Sequence, residues 1–539
     1  MTRLYSMGYL STMFLGMRPW TRQTALNMLL DSQDEIVGGD NTEAQDELAS
    51  LLVYLQAEQP GGNPDRNTVY GLESTYDRVL GIAGTPLRDS YHLGQTIAND
   101  YGRPYESGFN DITGFSTVNE MGRFSLYLRG EYQHAPSAPG YSFSMANTLS
   151  QQDLVGYYAP PNAPQDTIPA GRISPTDPTK LLPLPAKNPF RLVEANLSFH
   201  LLGHEISGGK SDAWLGPAQG GAMAWSNNAE DIYSFRVNRV DPLHIPLLSR
   251  VLGPMRYDFF YGSLKGHTAP NHPWTHSEMF SFRPTENFEF AFQRTIIFGG
   301  AGHEPVTLHT FLKGFFSTTD TTAGLKFSRD DPGARFSDFT FSWRLPFVRR
   351  YSTLYLDSIS HDDVSPVSAP RRASFRTGMY FSQIPKLHKL DFRVEAVTTD
   401  PPVDRSNGGQ FAYFEIVQVQ GYTNKGNIMG DWIGREAKGG QAWLTYHLSG
   451  NEMVQLEYLN KKTPKDFVNF GTTQNEFKVQ VIKRLAPDVE LNSWLQYERW
   501  KAPFYKQGQQ NDTTLAFQVT WFPKLHNTDQ GVNFDQMFR

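Results

Sequence analysis

The sequence predicts a mainly β fold: a large antiparallel transmembrane β-barrel preceded by a small N-terminal α-helical bundle. Three observations carry that expectation. The first is alternation. Residues Thr514 to Phe522 read Thr-Leu-Ala-Phe-Gln-Val-Thr-Trp-Phe, and successive side chains of a strand leave opposite faces. Leu515, Phe517, Val519 and Trp521 therefore share one face, and Gln518 and Thr520 the other. The second is the bulk of the apolar face, which is Phe, Leu, Val, Tyr and Trp with few small residues; a packed interior usually mixes large with small. The third is the lack of any apolar run near the roughly 18 residues that a membrane helix needs. Aromatics nonetheless reach 13% and mean hydropathy is -0.47. A barrel hides its hydrophobicity by alternation and gives a weak hydropathy signal. Periodicity alone does not separate it from a soluble sandwich, whose polar face is a wet exterior. The bulk of the apolar face favours the barrel, with Leu515, Phe517, Val519 and Trp521 toward lipid.

Composition removes several function classes. Net charge is -6 with no basic tract, which argues against a nucleic-acid partner. There is no cysteine, hence no disulfide, thiolate metal site or cysteine nucleophile. Charged residues make up 19%, below the roughly 25% usual in soluble domains. At the start, Met1-Thr2-Arg3-Leu4 leads into polar Ser6, Gly8 and Ser11 without a continuous apolar stretch. An outer-membrane location therefore carries the expectation of a signal peptide missing from this chain.

Taken in order, residues 1–62 form the helical unit. Leu26, Met28, Leu29 and Leu30 follow Thr21, a candidate N-cap. Thr42-Glu43-Ala44-Gln45 fits a capping box, and Leu48, Leu51, Leu52 and Leu55 recur at helical spacing. Gln59-Pro60-Gly61-Gly62-Asn63-Pro64 breaks that helix. Such a unit caps a β domain or plugs a pore. Residues 63–539 form the barrel. Phe124–Arg129, Phe288–Gln293, Phe339–Arg344, Leu390–Glu395, Val454–Tyr458 and Phe477–Val481 all alternate. Ser144 to Tyr157 reads as a short helix. Residues 158–190 form a long loop carrying Pro160, Pro161, Pro164, Pro169, Pro175, Pro178, Pro183, Pro185 and Pro189, because proline removes the ladder donor.

Catalytic and metal motifs fail on spacing. His204 and Glu205 are adjacent and face opposite ways in a strand. Gly203, Gly209, Lys210 and Ser211 miss the phosphate-loop spacing, with no helix after them. His303-Glu304 and His309 miss His-Glu-x-x-His, and no Gly-x-Ser-x-Gly elbow occurs. Gly299-Gly300-Ala301-Gly302 reads as a hairpin turn. No catalytic residue, metal site or cofactor is expected.

Identity is carried by ordered segments. Asn196 to Glu230 reads NLSFHLLGHEISGGKSDAWLGPAQGGAMAWSNNAE. It is followed by Ile232–Arg236, Pro254–Gly262 and Phe280–Phe290, and preceded by Gly16-Met-Arg-Pro-Trp-Thr-Arg22. Together these resemble the Wzi family of capsule-assembly proteins over nearly the whole chain, most densely from about 190 to 316. The resemblance implies an outer-membrane barrel of about 18 strands with a helical bundle at its periplasmic end. It implies a non-enzymatic surface lectin that holds capsular or exopolysaccharide, with lipid as its other partner and a monomeric state expected. A porin or transporter for small polar solutes is the alternative.

Sugar recognition uses flat aromatic faces and planar polar groups. Trp214, Trp225, His267, His272, Trp274 and His276 have that chemistry, although tryptophan in a barrel more often sits in an interfacial girdle. A second set is expected as a polar network in the lumen: Lys210, Asp212, Arg236, Arg239, Glu278, Arg283, Glu289 and Arg294. There, arginines pair with carboxylates, or attract an acidic polysaccharide.

Overall fold

The computed structural model describes residues 1–55, 68–154, 171–317, 324–325, 328–331, 333–403 and 407–527. The 62/63 boundary, the breaker at Gln59–Pro64 and the first part of the proline-rich loop lie outside them. The barrel strands are β1 Thr68–Gly84, β2 Gly108–Met121, β3 Phe124–His134, β4 Phe190–Leu201, β5 His204–Lys210 and β6 Tyr233–Arg239. They continue as β7 Met255–Ser263, β8 Trp274–Thr285, β9 Phe288–Phe298, β10 Ala334–Arg344, β11 Ser352–His361 and β12 Ser374–Phe381. The last six are β13 Leu390–Thr398, β14 Lys438–Ser449, β15 Glu452–Thr463, β16 Thr472–Ala486, β17 Val489–Ala502 and β18 Lys506–Trp521. Each pairs antiparallel with the next. β18 returns to β1 through Thr75↔Trp521 and Gly84↔Asp512, which closes an 18-stranded barrel without a free edge.

The alternation is inside-out relative to a soluble protein. Leu515, Phe517, Val519 and Trp521 are 44–46% exposed, while Thr514, Ala516 and Thr520 on the other face are buried. The same reversal recurs at Phe477, Val479, Leu495 and Tyr497, all apolar and exposed. An apolar outside with a polar inside is the membrane-barrel arrangement.

Connections alternate in length. Short turns join β2–β3, β4–β5, β8–β9, β14–β15 and β16–β17 at one end. At the other end residues 85–107, 135–189, 211–232, 299–333 and 399–437 form long connections. Gly299 to Gly302 thus opens one of the long connections rather than a tight hairpin. Ala301 N there donates to Asn271 O of the β7–β8 connection at 2.8 Å, so the chain leaves the wall along that neighbour instead of turning back.

The N-terminal helices α1 Thr2–Ser6, α2 Arg22–Asp31, α3 Gln33–Val37 and α4 Thr42–Tyr54 lie at the short-turn end. Thr21 caps α2, its side chain accepting from Thr24 N. Asn41, one residue before the expected Thr42, caps α4. Leu26, Leu29, Ile36, Ala44, Leu48 and Leu55 make their core. Polar anchors fix them to the barrel. Buried Arg3 donates to Glu47 at 2.7 Å, to Ser382 O at 3.1 Å and to His388 O at 2.8 Å. The Arg344 guanidinium lies 4.8 Å from the Tyr5 ring centre.

The lumen is filled from both ends. Residues 13–18 enter from the helical end, and 85–107, 211–232, 399–403 and 407–437 fold in from the long-loop end. They meet where Met17 and Arg18 pair with Leu215 and Trp214 in a two-residue ladder. Around that junction Tyr91, Met223, Trp225, Tyr413, Tyr422, Met429 and Trp432 form one buried apolar cluster with Phe260, Met279 and Phe336 of the wall. Helix α5 Phe143–Gln152, capped by Ser142, packs beside it at the long-loop end against Phe467 and Trp500.

Candidate functional site

The wall holds this plug by burying polar groups that reach its backbone. Glu289 on β9 accepts from Leu15 N at 2.7 Å and Gly16 N at 3.1 Å. Glu395 on β13 accepts from Gln219 N at 2.8 Å and Gly220 N at 3.0 Å. Arg376 on β12, fully buried, bridges Glu395 at 2.8 Å and Asp431 at 2.5 Å. An unpaired buried donor or acceptor costs about 1–3 kcal/mol, so each wall group specifies where a plug strand sits.

At the long-loop end a second cluster joins three connections. His92 Nδ1 lies 3.0 Å from Asp89, and Nε2 is 2.9 Å from Asp153 at the end of α5. Arg435 donates to the other Asp153 oxygen at 2.6 Å, and Tyr141 to Asp89 at 3.0 Å. Burial opposes a charge on His92. The attraction and hydrogen bonds of Asp89 and Asp153 outweigh it and raise the imidazole to about 9. Asp153 is held below its ordinary range by His92 and Arg435 against the same burial. His92 is therefore an imidazolium clamped between carboxylates. His92, Asp89, Asp153 and Arg435 carry no local sequence signal, because their spacings belong to no motif.

Most of the aromatic and histidine candidates are parts of the plug or wall. Trp225 is buried, edge-on to Phe260 at 4.8 Å, and its Nε1 donates to Thr295 at 3.0 Å. Trp214 is half-buried beneath Arg18, 5.1 Å from its ring centre, and donates to Ala218 O. His267 donates to Thr423 O at 2.8 Å, and burial pushes it down to about 4, so it stays neutral. His272 is exposed in the β7–β8 connection. Trp274 and His276 sit on the outer wall, Trp274 stacked on Tyr261 at 5.2 Å. The structure does not gather these six at one surface. A cavity between Trp225, Glu230, Arg236 and Phe260 holds about 20 Å³, room for about one water and too small for a sugar ring.

Of the network expected in the lumen, Arg236 faces inward and pairs with Asp258, Nε to Oδ1 at 2.9 Å. Lys210 reaches Glu230 at 2.5 Å. Asp212 accepts from Tyr101 at 3.3 Å. Burial raises the Asp212 carboxyl above its usual range, against the pull of Arg129 and Arg236. Arg283 faces inward and donates to Met13 O. Three residues correct the expectation. Glu278 pairs across strands with Phe259, and Arg294 with Ser337, so both lie on the outward face of the barrel. Arg239 shares the outward row of Tyr233, Phe235 and Val237 and donates to Asp241 O at 2.6 Å. Opposite charges in register were legible in the sequence; which face they share was not.

On that outward face, past the short α6 Leu248–Leu252 of the β6–β7 connection, helix α7 Leu308–Phe316 covers the charges. Arg294 donates to Glu278 at 2.7 Å, to Ser317 O at 2.7 Å and to Phe315 O, while His276 lies 3.1 Å from Glu278. A bare lysine or arginine on a lipid-facing wall costs about 2–4 kcal/mol at the bilayer midplane, and a bare carboxylate less. The cover removes that cost.

His361, Asp362 and Glu415 place one ligand atom each within 4.8 Å of one another. His361 Nε2 lies 3.1 Å from Glu415, whose other oxygen accepts from Ile416 N and Val417 N. The sequence separates Glu415 from the other two by an entire hairpin, so spacing gave no sign of the grouping.

The family model for capsule assembly protein Wzi matches residues 79–515. The chain belongs to that family. Among solved structures, this Wzi-family chain is similar to the Escherichia coli outer-membrane protein Wzi, described as involved in group 1 capsule assembly and as a carbohydrate-binding β-barrel. The TM-score is 0.66 at 15% identity, over 97% of this chain and 98% of that one. Pseudomonas aeruginosa OprD gives a TM-score of 0.43 at 9% identity, over 86% and 97% of the two chains. Acinetobacter baumannii OccAB2 gives 0.43 at 8%, over 86% and 100%. A comparison with curated proteins finds no match.

Proposed function

We propose that this chain is a non-enzymatic outer-membrane lectin that binds and anchors acidic capsular or exopolysaccharide at the cell surface. One observation carries the reading: the long-loop end is cationic although the chain is not. Arg172, Lys180, Lys265, Arg371, Lys425 and Lys465 are exposed on its connections. Asp466 is the one exposed carboxylate among the described residues of those same connections. The helices at the other end expose Asp31, Asp34, Glu35, Asp40 and Asp46, while the wall turns beside them expose Arg349, Arg350, Lys386 and Lys389, so that end is of mixed sign. A surface of one sign concentrates a polymer of the other. Short turns of bacterial barrels face the periplasm and long loops the outside, which puts the basic end outward and the acidic helices inward. The closed lumen supports retention rather than passage. E. coli Wzi, described as carbohydrate-binding, supports the ligand class.

The test is a pull-down with immobilised polysaccharides of known charge, using purified protein in detergent. Acidic polymers should retain it and release it as salt rises, since screening shortens the reach of exposed charges. Equal retention by neutral polymers, or none by any polymer from a protein with an intact fold, would overturn the reading.

A further inference from the structure

We infer that helix α7 is a lipid-embedded strap: it lies against the outer wall within the bilayer and docks acyl chains along Leu308, Leu312 and Phe316. The inference rests on the membrane-barrel reading above and goes beyond it, because a loop helix of a surface lectin would ordinarily stand in water.

Three observations carry it. The first is place. Arg294 is midway along β9, and its guanidinium donates to Ser317 O at 2.7 Å and to Phe315 O at the end of α7. The start of the helix sits near the strand end, where a Cβ on Gly299 would meet Val306 at 3.0 Å. A nine-residue helix is about 13 Å long, so α7 runs down the wall from the rim toward the level of the strand centres. The second is packing. Phe315 lies 5.3 Å from Phe259 and 5.4 Å from His276, and Phe311 lies 5.7 Å from Tyr261. All three wall residues belong to outward rows. The third is what the helix leaves uncovered. Leu308, Leu312 and Phe316 repeat every four residues and are 74%, 41% and 67% exposed. Below them the outward row continues as Phe280 and Phe292, also exposed.

The stripe on α7 is thus continuous with the apolar belt of the barrel, and acyl chains are the occupant that already covers the belt. The same geometry explains the charges beneath. Glu278 and Arg294 are tolerated on an outward face because α7 shields them from lipid and lends its last carbonyls as acceptors. On the polar flank His309 lies 3.0 Å from Asp330 of its own loop.

The chain has no cysteine, so single replacements give single spin labels. The full-length protein is reconstituted in phosphatidylcholine vesicles with labels at L312C, F316C, the belt position F517C and the loop position K465C. Collision with oxygen, which partitions into lipid, is compared with collision with a water-soluble nickel chelate. The expected result is oxygen-dominated collision at L312C and F316C, matching F517C, with F316C deeper than L312C and K465C dominated by nickel. Nickel-dominated collision at L312C while F517C stays in lipid would overturn the strap. So would shielding of L312C from both reagents, which would mean protein covers it. Nickel access at F517C itself would instead overturn the barrel reading.

Discussion

Two walls of the same barrel solve the lipid problem differently. On β18 the outward row from Leu515 to Trp521 is apolar and exposed, Phe517 at 44%. On β9 the outward row runs Phe288, Phe290, Phe292, Arg294, Ile296 and Phe298, and Arg294 stands in its middle under α7. Both strands obey the period of two. The difference teaches that alternation assigns a side chain to a face, whereas the connecting loop decides what that face meets. At Arg294 a loop folds back to cover the charge, whereas Asp77 on β1, in register with Val519, stands exposed on the outer face without such a cover.

The largest effect should come from breaking the covered wall. Arg294→Leu leaves Glu278 buried without its main counter-charge, and removing one partner of a buried pair costs about 3–5 kcal/mol. Urea unfolding in detergent should show that loss, and Arg294→Leu combined with Glu278→Leu should recover most of it. If the single and double variants lose equally, the pair is not covered as described. Next comes the plug. The His92 imidazole is raised above its unfolded value, so its stabilisation is complete below about pH 6.5 and is lost as pH rises through about 9. At about 1.4 kcal/mol per unit, the loss is on the order of 3 kcal/mol. Protection from hydrogen exchange, corrected for the intrinsic pH dependence of amide exchange, should fall at residues 85–107 and at α5 between those pH values. Protection at the strands β15 to β18 should not fall, and His92→Gln should remove the pH step. A smaller effect is expected on the bare wall: Phe517→Arg should cost about 2 kcal/mol, read as a lower temperature for loss of heat-modifiable gel migration. The same change at Gln518, whose side chain faces the lumen beside Arg78 and Thr520, should act through packing and not through lipid.

Much of the fold was legible because its rules are local. Alternation at Thr514–Phe522, Phe288–Gln293 and Phe339–Arg344 places side chains on opposite faces whatever the rest of the chain does. The Thr21 cap of α2 needs only neighbours in sequence. The site was far less legible. Trp225 has sugar-binding chemistry, yet its role is set by Phe260 and Thr295, which sequence does not place beside it. Glu278 and Arg294 are visible as a cross-strand pair, but α7 makes their outward placement tolerable, and α7 is brought there by a connection no period describes. His92 with Asp89, Asp153 and Arg435 depends on three loops converging inside a barrel. The basic residues of the long-loop end look unremarkable one at a time, and they become a feature only when connection lengths sort them to one end.

That sorting is the centre of the account, and charge reversal tests it most directly. Arg371→Glu, Lys465→Glu and Lys265→Glu together change the sign of the long-loop surface without touching the plug or the wall. Binding of an acidic capsular polysaccharide to this variant and to the parent, both reconstituted in vesicles, is the measurement. The expected result is salt-sensitive binding by the parent and loss of it in the variant. Equal binding by both, or a steady ion current through the parent in a planar bilayer control, would contradict a closed barrel that holds acidic polymer at its cationic end.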